Sequence, residues 1–378
     1  MDGTYSYIEK SGNYRTLRQS FSVHKGRHLV KPILFVASNG LILDIHGPYF
    51  ADGKNNDARI LMDQFEKDTN NINNWFKEGD IFLVDLGYRD ALPFLENRRY
   101  DVKMPPFLEK DESQLTTKEA NEARIVTMQR WVVETHNGHL KTIFKFLDGI
   151  IARAHVLHLQ DFYLIAGALI NRYKEKLIMT RKTAALAREI KQRANTVNLL
   201  QLRVEQNHLA RRSAIWELLD HEHFPEFPKL NKDLLQEFTG CNYQLRLAPS
   251  YIQDKFNHES TDVFQLDRNR AEPGLLRFRI FSSFRIATRY QLWILFRVNH
   301  NSNNERNTNR QILGYYCTCK SGARTLGCCA HVTSVLWYLG YARHEQIIRY
   351  PSRALLNYIM DAANRNVNND QIVDVEGE

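Results

Sequence analysis

The chain opens with short runs in which β-branched and aromatic residues alternate with polar ones. Thr4-Tyr5-Ser6-Tyr7-Ile8 is followed by turn residues at Ser11-Gly12-Asn13. Ser20 to His24, Ile33-Leu34-Phe35-Val36, a hairpin signal at Ser38-Asn39-Gly40 and Leu41 to Ile45 come next. Such runs, punctuated by Gly, Asn and Ser, predict an antiparallel meander. From Ala58 to Phe76 the spacing becomes helical, with Ile60, Leu61, Phe65, Ile72, Trp75 and Phe76 apolar. Ile81-Phe82-Leu83-Val84 is a continuous apolar run of the buried-strand type. Arg89 to Asn97 predicts a short helix with Pro93 in its first turn, and Pro105-Pro106 ends the next short segment. A long helix is expected from Thr116 or Thr117 to about Leu147, with Glu119 near N3 completing a capping box. Strands, helix, strand, short helix, strand and long helix make an α/β unit with a mixed sheet.

Beyond it, Asn171 to Asp220 has almost no Gly or Pro and is rich in Ala, Leu, Lys, Arg and Gln, which predicts helix. Pro225 and Pro228 mark a boundary. Leu275 to Ile286 and Tyr290 to Val298 predict a hairpin with Arg alternating on its exposed face. Asn299 to Arg310 is a polar loop, Val332 to Leu339 an apolar helix, and Asn364 to Glu378 a polar, acidic tail expected to be disordered. The expected layout is a mixed-sheet domain over 1–165 and a basic helical connector over 166–225. An α+β module over 226–363 and the tail over 364–378 complete it.

Composition narrows the classes. With 378 residues, 43% hydrophobic and 25% charged, the chain is globular, which excludes a wholly disordered, collagenous or disulfide-framework protein. A net charge of +8 leans toward a polyanionic partner such as DNA. Between Arg172 and Arg212 eleven Lys/Arg stand against three Glu. That stretch fits either a helix lying along DNA or a linker whose packed side is Leu177, Leu186, Ile190, Leu199, Leu202 and Leu209. Trp216 and Leu218-Leu219 suit docking onto a domain. The longest apolar run, Phe162 to Ile170, is nine residues, short of the roughly 20 a membrane helix needs. Met1-Asp2-Gly3 has neither the basic start nor the apolar stretch of a signal peptide. Of five cysteines, Cys317, Cys319, Cys328 and Cys329 cluster, which without an export signal points to metal before disulfides.

Three carboxylates occupy informative places: Asp2 on the first strand, Asp85 at the end of the apolar strand and Glu134 inside the long helix. Strand ends at one sheet edge, crossed by a helix, can gather such groups into a hard-cation site. Mg²⁺ or Mn²⁺ takes carboxylate and water oxygens, and a pair of ions can hold both oxygens of a phosphoryl displacement. The bland alternatives are an exposed chain end for Asp2, a helix cap for Asp85 and a solvent-facing Glu134.

Surrounding residues add a resemblance. Gly79-Asp80-Ile81-Phe82-Leu83-Val84-Asp85-Leu86-Gly87-Tyr88 resembles the second-carboxylate motif of DDE superfamily endonucleases of the PIF/Harbinger-like transposase group. Pro105-Pro106-Phe107-Leu108, then Gln114, Thr117, Glu119, Ala120 and Arg124, is similar to the stretch before their third carboxylate. Arg130-Trp131-Val132-Val133-Glu134 resembles their Arg-x-x-Val-Glu helix motif, with Lys141 following. Asp2-Gly3-Thr4 resembles the first-carboxylate strand, and Tyr14 to Lys31 the basic segment after it. Asn56-Asp57 matches a further polar pair, read as a structural cap. The resemblance covers about residues 1–165. It implies a ribonuclease-H-like fold and divalent-metal-dependent cleavage of DNA, with Asp2, Asp85 and Glu134 as metal-binding catalytic residues. One departure stands out. The family carries a helical DNA-binding segment ahead of the first carboxylate, whereas this sequence starts one residue before it. Asp2 on such a strand start is expected to fray.

Cys317-Thr318-Cys319 and Cys329-Ala330-His331 give C-x-C-x₉-C-x-H. Positions i and i+2 on a strand point the same way, and two further ligands at a helix entry can close a Cys₃His tetrahedron around Zn²⁺. The alternative is a set of buried structural thiols beside a core histidine. Cys328 is a spare, Cys241 a core residue and His344 a surface one. The spacing and the following apolar helix resemble a SWIM-type zinc finger over about 285–340. That implies a structural zinc held by Cys317, Cys319, Cys329 and His331, contact with DNA or other proteins, and a nuclear location.

Overall fold

The computed structural model describes residues 1–176, 181–211, 215–219, 224, 226–240, 242–256, 264–282, 288–298, 311–348 and 350–351. The expectations for Leu177, Arg212, Pro225, Cys241, Ile286, the loop 299–310 and the tail from 364 fall outside them.

The first predicted strand is present in two pieces, β1 (Asp2–Gly3) and β2 (Ser6–Ile8). Both lie antiparallel to one edge of the long strand β4 (Arg27–Val36), with Asp2 opposite Leu34 and Ser6 opposite Val30. The break falls opposite Pro32, which has no N–H to donate, and only its carbonyl is used, by the Thr4 N–H at 2.9 Å. Ser20 to His24, expected as a strand, is not one. Asn13 caps a helix, α1 (Tyr14–Ser20), by accepting from the Arg15 and Thr16 N–H groups, and only β3 (Phe21–Ser22) pairs with β4. The hairpin at Ser38-Asn39-Gly40 leads into β5 (Ile42–Phe50) on the other edge of β4.

Helix α2 (Asp57–Glu66) starts at an Asn56 cap and stops a turn after Asp63. The predicted extension to Phe76 is a 3-10 segment instead, because Asp68, Asn70 and Asn71 take left-handed backbone that a helix cannot absorb. Strand β6 (Ile81–Leu83) forms where the apolar run predicts a buried strand. It pairs, in parallel, with β7 (Asp101–Lys103) in a separate two-stranded sheet, and Ile81 is 62% exposed. Between them α3 (Leu92–Glu96) carries Pro93 in its first turn as expected.

The long helix α4 (Thr117–Ile143) begins at Thr116 with the capping box to Glu119. It ends before Leu147, at Phe144, where the backbone leaves helical values; α5 (Lys145–Asp148) follows. Strand β8 (Ile150–Ile151) joins β2 in parallel, which makes the six-stranded sheet mixed. After α6 (Arg153–Val156), α7 (Leu159–Tyr173) lies on β5, where Gly167 permits the approach: a Cβ there would stand 2.9 Å from Ile45 Cδ1. Alternation along β4 sends Ile33 and Phe35 to a core with α2, Phe82 and Val84. Leu34 goes to the opposite core with Val133, Leu140, Tyr163 and Ile170. The sheet is thus covered on both faces.

In the basic stretch, α8 (Arg181–Ala194) and α9 (Leu199–Gln206) form, but of the expected packed side only Leu209 is buried and Ile190 half-buried. Leu186, Leu199 and Leu202 are exposed, while Leu200, Val204 and Leu209 are buried with Trp216, Trp293 and Tyr316. Leu200 also packs beside Gly314 of the strand that ends at Cys317. Trp216 then opens β9 (Trp216–Leu219), so the predicted helix ends early. After α10 (Lys232–Thr239) and α11 (Asn242–Phe256) come β10 (Phe264–Asn269), β11 (Leu275–Phe281), β12 (Arg289–Phe296) and β13 (Ile312–Cys317). These complete a five-stranded antiparallel sheet in the order β13-β12-β11-β10-β9. The helices α10, α11 and α12 (Ala330–Gly340) share its core with Phe278, Leu292 and Ile294. The arginines of β11 are not a solvent-facing row. Arg277 is buried, ion-paired to Asp267 at 2.8 Å, with Trp216 over its guanidinium at 4.5 Å.

Candidate metal centres

Asp2, Asp85 and Glu134 come from three separated elements and face one point. Arg130, one helical turn before Glu134, places a single Nη2 at 3.5 Å from Asp2, 3.6 Å from Asp85 and 3.6 Å from Glu134. Asp2 is paired to Leu34, and its Oδ2 accepts from Asn137 Nδ2 at 3.1 Å. The Met1 amino group donates to the Leu83 carbonyl at 3.3 Å, which ties β1 to the strand leading to Asp85. Asp85 does act as a cap, taking the Gly87 N–H on Oδ1 at 2.8 Å, yet its Oδ2 is the oxygen turned to Arg130. Glu134 keeps 58% of its side chain exposed.

Burial pushes the Asp2 carboxyl up to about 6, with Arg130 opposing the rise and the negative Asp85 adding to it. A fourth carboxylate stands beside them. Asn56 caps α2 as expected, but Asp57 pairs with Lys31 at 3.1 Å and flanks Asp85 across Gly87. A Cβ on Gly87 would lie 3.0 Å from Asp85 Oδ1 and 3.3 Å from Asp57 Oδ2. The roles of Arg130, Asn137 and Asp57 escaped sequence reasoning. The helical spacing of 130, 134, 137 and 141 was the available signal, since these positions share a face of α4. At 141 the Lys141 ammonium lies 5.2 Å from the centre of the Tyr5 ring, on which Lys25 also sits at 4.8 Å. The donors are carboxylate oxygens, the kind a hard divalent cation takes, and the Arg130 guanidinium stands between them and offsets part of their charge.

The second centre is built locally. Cys317 and Cys319 straddle the end of β13, and Cys329 and His331 sit where α12 begins. Their ligand atoms all lie within 4.8 Å of one another, with Cys317 Sγ 3.8 Å from His331 Nδ1. The intervening turn needs Gly322, where a Cβ would meet the Cys317 carbonyl at 2.0 Å. Rings of Tyr251 and Tyr290 hold the imidazole, with centroids at 5.4 and 4.8 Å. Cys328 points away: its Sγ is 3.2 Å from Thr333 Oγ1, and burial pushes its thiol up to about 12. Burial, followed by the crowding of Cys319 and Cys329, also holds Cys317 well above the usual thiol range. His344 is exposed beyond α12. Three thiols and an imidazole at this separation fit a tetrahedral Zn²⁺, with sulfurs at about 2.3 Å.

Neither the curated proteins nor the solved structures provide a match to the chain. Among the described residues no helix is long and apolar enough to cross a membrane. The stretch that gathers Asp2, Asp85 and Glu134 around Arg130 lies within residues 1–171, and those residues match the family of DDE superfamily endonucleases.

Proposed function

We propose that the protein is a transposase-derived, divalent-metal-dependent DNA endonuclease. It would have a ribonuclease-H-like domain over 1–165, a connector over 166–225 and a SWIM-type zinc module that contacts DNA or another protein. The observation that carries this reading is the convergence of Asp2, Asp85 and Glu134 on one Arg130 nitrogen within the segment similar to the endonucleases. Asp2, Asp85 and Glu134 would hold Mg²⁺ or Mn²⁺, which when bound polarises phosphoryl oxygens and acidifies water. Asn137 orients the Asp2 carboxylate, and the Gly87 N–H orients that of Asp85. Lys25 and Lys141, stacked on Tyr5, would take backbone phosphates. The nucleophile is water or a 3′-hydroxyl, so this chain's own groups act by positioning and charge.

A second reading rests on Arg130 itself. A guanidinium that already faces three carboxylates balances much of their charge. The cluster would then be a structural ion network in a non-enzymatic, zinc-dependent DNA- or protein-binding module. The deciding experiment is cleavage of supercoiled DNA with Mg²⁺, Mn²⁺ or neither. Metal-dependent nicking that is lost in Asp85→Asn supports the nuclease; no nicking with any divalent metal supports the binding module.

A further inference from the structure

The two centres are mechanically joined. The loop between Cys317 and Cys329 lies against the start of α4, the helix that bears Arg130 and Glu134. Gln114, just ahead of that helix, donates from Nε2 to the carbonyls of both Cys317 and Cys319 at 2.7 Å, and its Oε1 accepts from Tyr316 at 2.9 Å. The Leu115 N–H bonds the Lys320 carbonyl at 3.0 Å. One turn into α4, Asn121 is fully buried, and both ends of its amide are used. Its Oδ1 accepts from the Thr325 and Leu326 N–H groups at 2.9 and 3.0 Å, and its Nδ2 donates to the Ala194 carbonyl and Thr325 Oγ1 at 2.8 and 2.9 Å. Arg124 then reaches the Thr239 and Gly240 carbonyls at 3.4 and 3.2 Å, beside Gly327.

We infer that the Cys₃His loop is a clamp on α4, so that metal bound by Cys317, Cys319, Cys329 and His331 fixes where Arg130 and Glu134 stand against Asp2 and Asp85. The ligands anchor both ends of the loop, and the backbone between them supplies the groups that Gln114, Leu115 and Asn121 bind. Without the ion, the two ends of the loop lose the tie that shapes it. From Asn121 to Arg130 the helix rises only about 14 Å, and an unbroken helix transmits displacement over that span. Gln114 and Asn121 are positioning residues, since neither touches either set of ligand atoms. The clamp stands on its own; its effect on cleavage rests on the nuclease reading above.

Hydrogen exchange on the full chain tests this, with and without chelation of zinc, and in Asn121→Ala and Gln114→Ala. The expected result is exchange about tenfold faster across 128–140 of α4 when zinc is removed. The same should occur in the two variants while zinc stays at one per chain, with the amides of α2 unchanged throughout. Mn²⁺ affinity at the acidic cluster, read by its EPR signal, should fall about tenfold in the same samples, with kcat for DNA lowered and KM unchanged. Should Asn121→Ala fail to fold, Gln114→Ala and the chelated wild type carry the comparison. Unchanged exchange in α4 without zinc overturns the clamp, as does equal loss of protection in α2 and α4, which would mean global unfolding. Absence of Mn²⁺ binding in the wild type would instead sink the nuclease reading, and the exchange data would still decide the clamp.

Discussion

The acidic and thiol centres solve opposite problems. Asp2, Asp85 and Glu134 are brought together from β1, the end of β6 and the middle of α4, and they stay partly open to solvent, with Glu134 58% exposed. Part of their charge is offset by Arg130. Cys317, Cys319, Cys329 and His331 come from one short stretch, and the three thiols are buried. An open, charge-compensated cluster can exchange ions and admit a substrate. A closed cluster of thiols is stable only around a metal and leaves no position for chemistry. Local sequence therefore suffices to build the thiol centre, whereas the acidic one depends on the whole α/β layer being in place.

The largest expected effect separates the thiols. Cys329→Ser should abolish zinc binding and unfold the surrounding module, since such sites supply about 10 kcal/mol or more. Cys328→Ser should retain about one zinc per chain. Metal analysis with circular dichroism reads both, and the reverse pattern would place the ligand at Cys328. Next come the carboxylates. Asp85→Asn and Glu134→Gln should each lower cleavage by on the order of 10²–10³-fold. Their melting temperatures should move by only about 2–4 °C, because removing one negative charge relieves repulsion. A parallel collapse in stability would make the cluster structural and erase the contrast with the thiol site.

Arg130→Gln sharpens the comparison from the other side. Removing the shared guanidinium leaves facing carboxylates uncompensated, at a cost of about 2 kcal/mol after allowance for solvent screening around Glu134. Millimolar Mn²⁺ should then raise the melting temperature of the variant more than that of the wild type. No such gain would mean that the cluster takes no cation. The smallest effect is local: Thr116→Ala breaks the capping box of α4 and should cost about 1 kcal/mol in thermal unfolding. Zinc content and the exchange protection across 128–140 should stay at wild-type levels. Were the cap instead as costly as Asn121→Ala, the start of α4 would depend on its cap as much as on the thiol loop.

Sequence patterns that depend on near neighbours were legible. The capping box at Thr116 and Glu119, Pro93 in a first turn, the hairpin after Val36 and the C-x-C-x₉-C-x-H spacing each act within about a dozen residues, where local geometry decides. The carboxylates stand in linked motifs, and helical spacing puts Arg130 on the same face as Glu134, but that spacing does not say that the face turns toward Asp2 and Asp85. Tertiary packing decided the rest. It rotated α9 so that Leu200 and Val204, rather than Leu199 and Leu202, face Trp216, Trp293 and Tyr316, and it buried Arg277 against Asp267. It also turned Trp216-Glu217-Leu218-Leu219 into an edge strand and laid the cysteine loop on Gln114 and Asn121. Helical periodicity fixes that a face is apolar, yet the rotation that buries it is set by the surface it meets. A polar side chain such as Asn121 is worth burying only when partners some 200 positions away complete its hydrogen bonds.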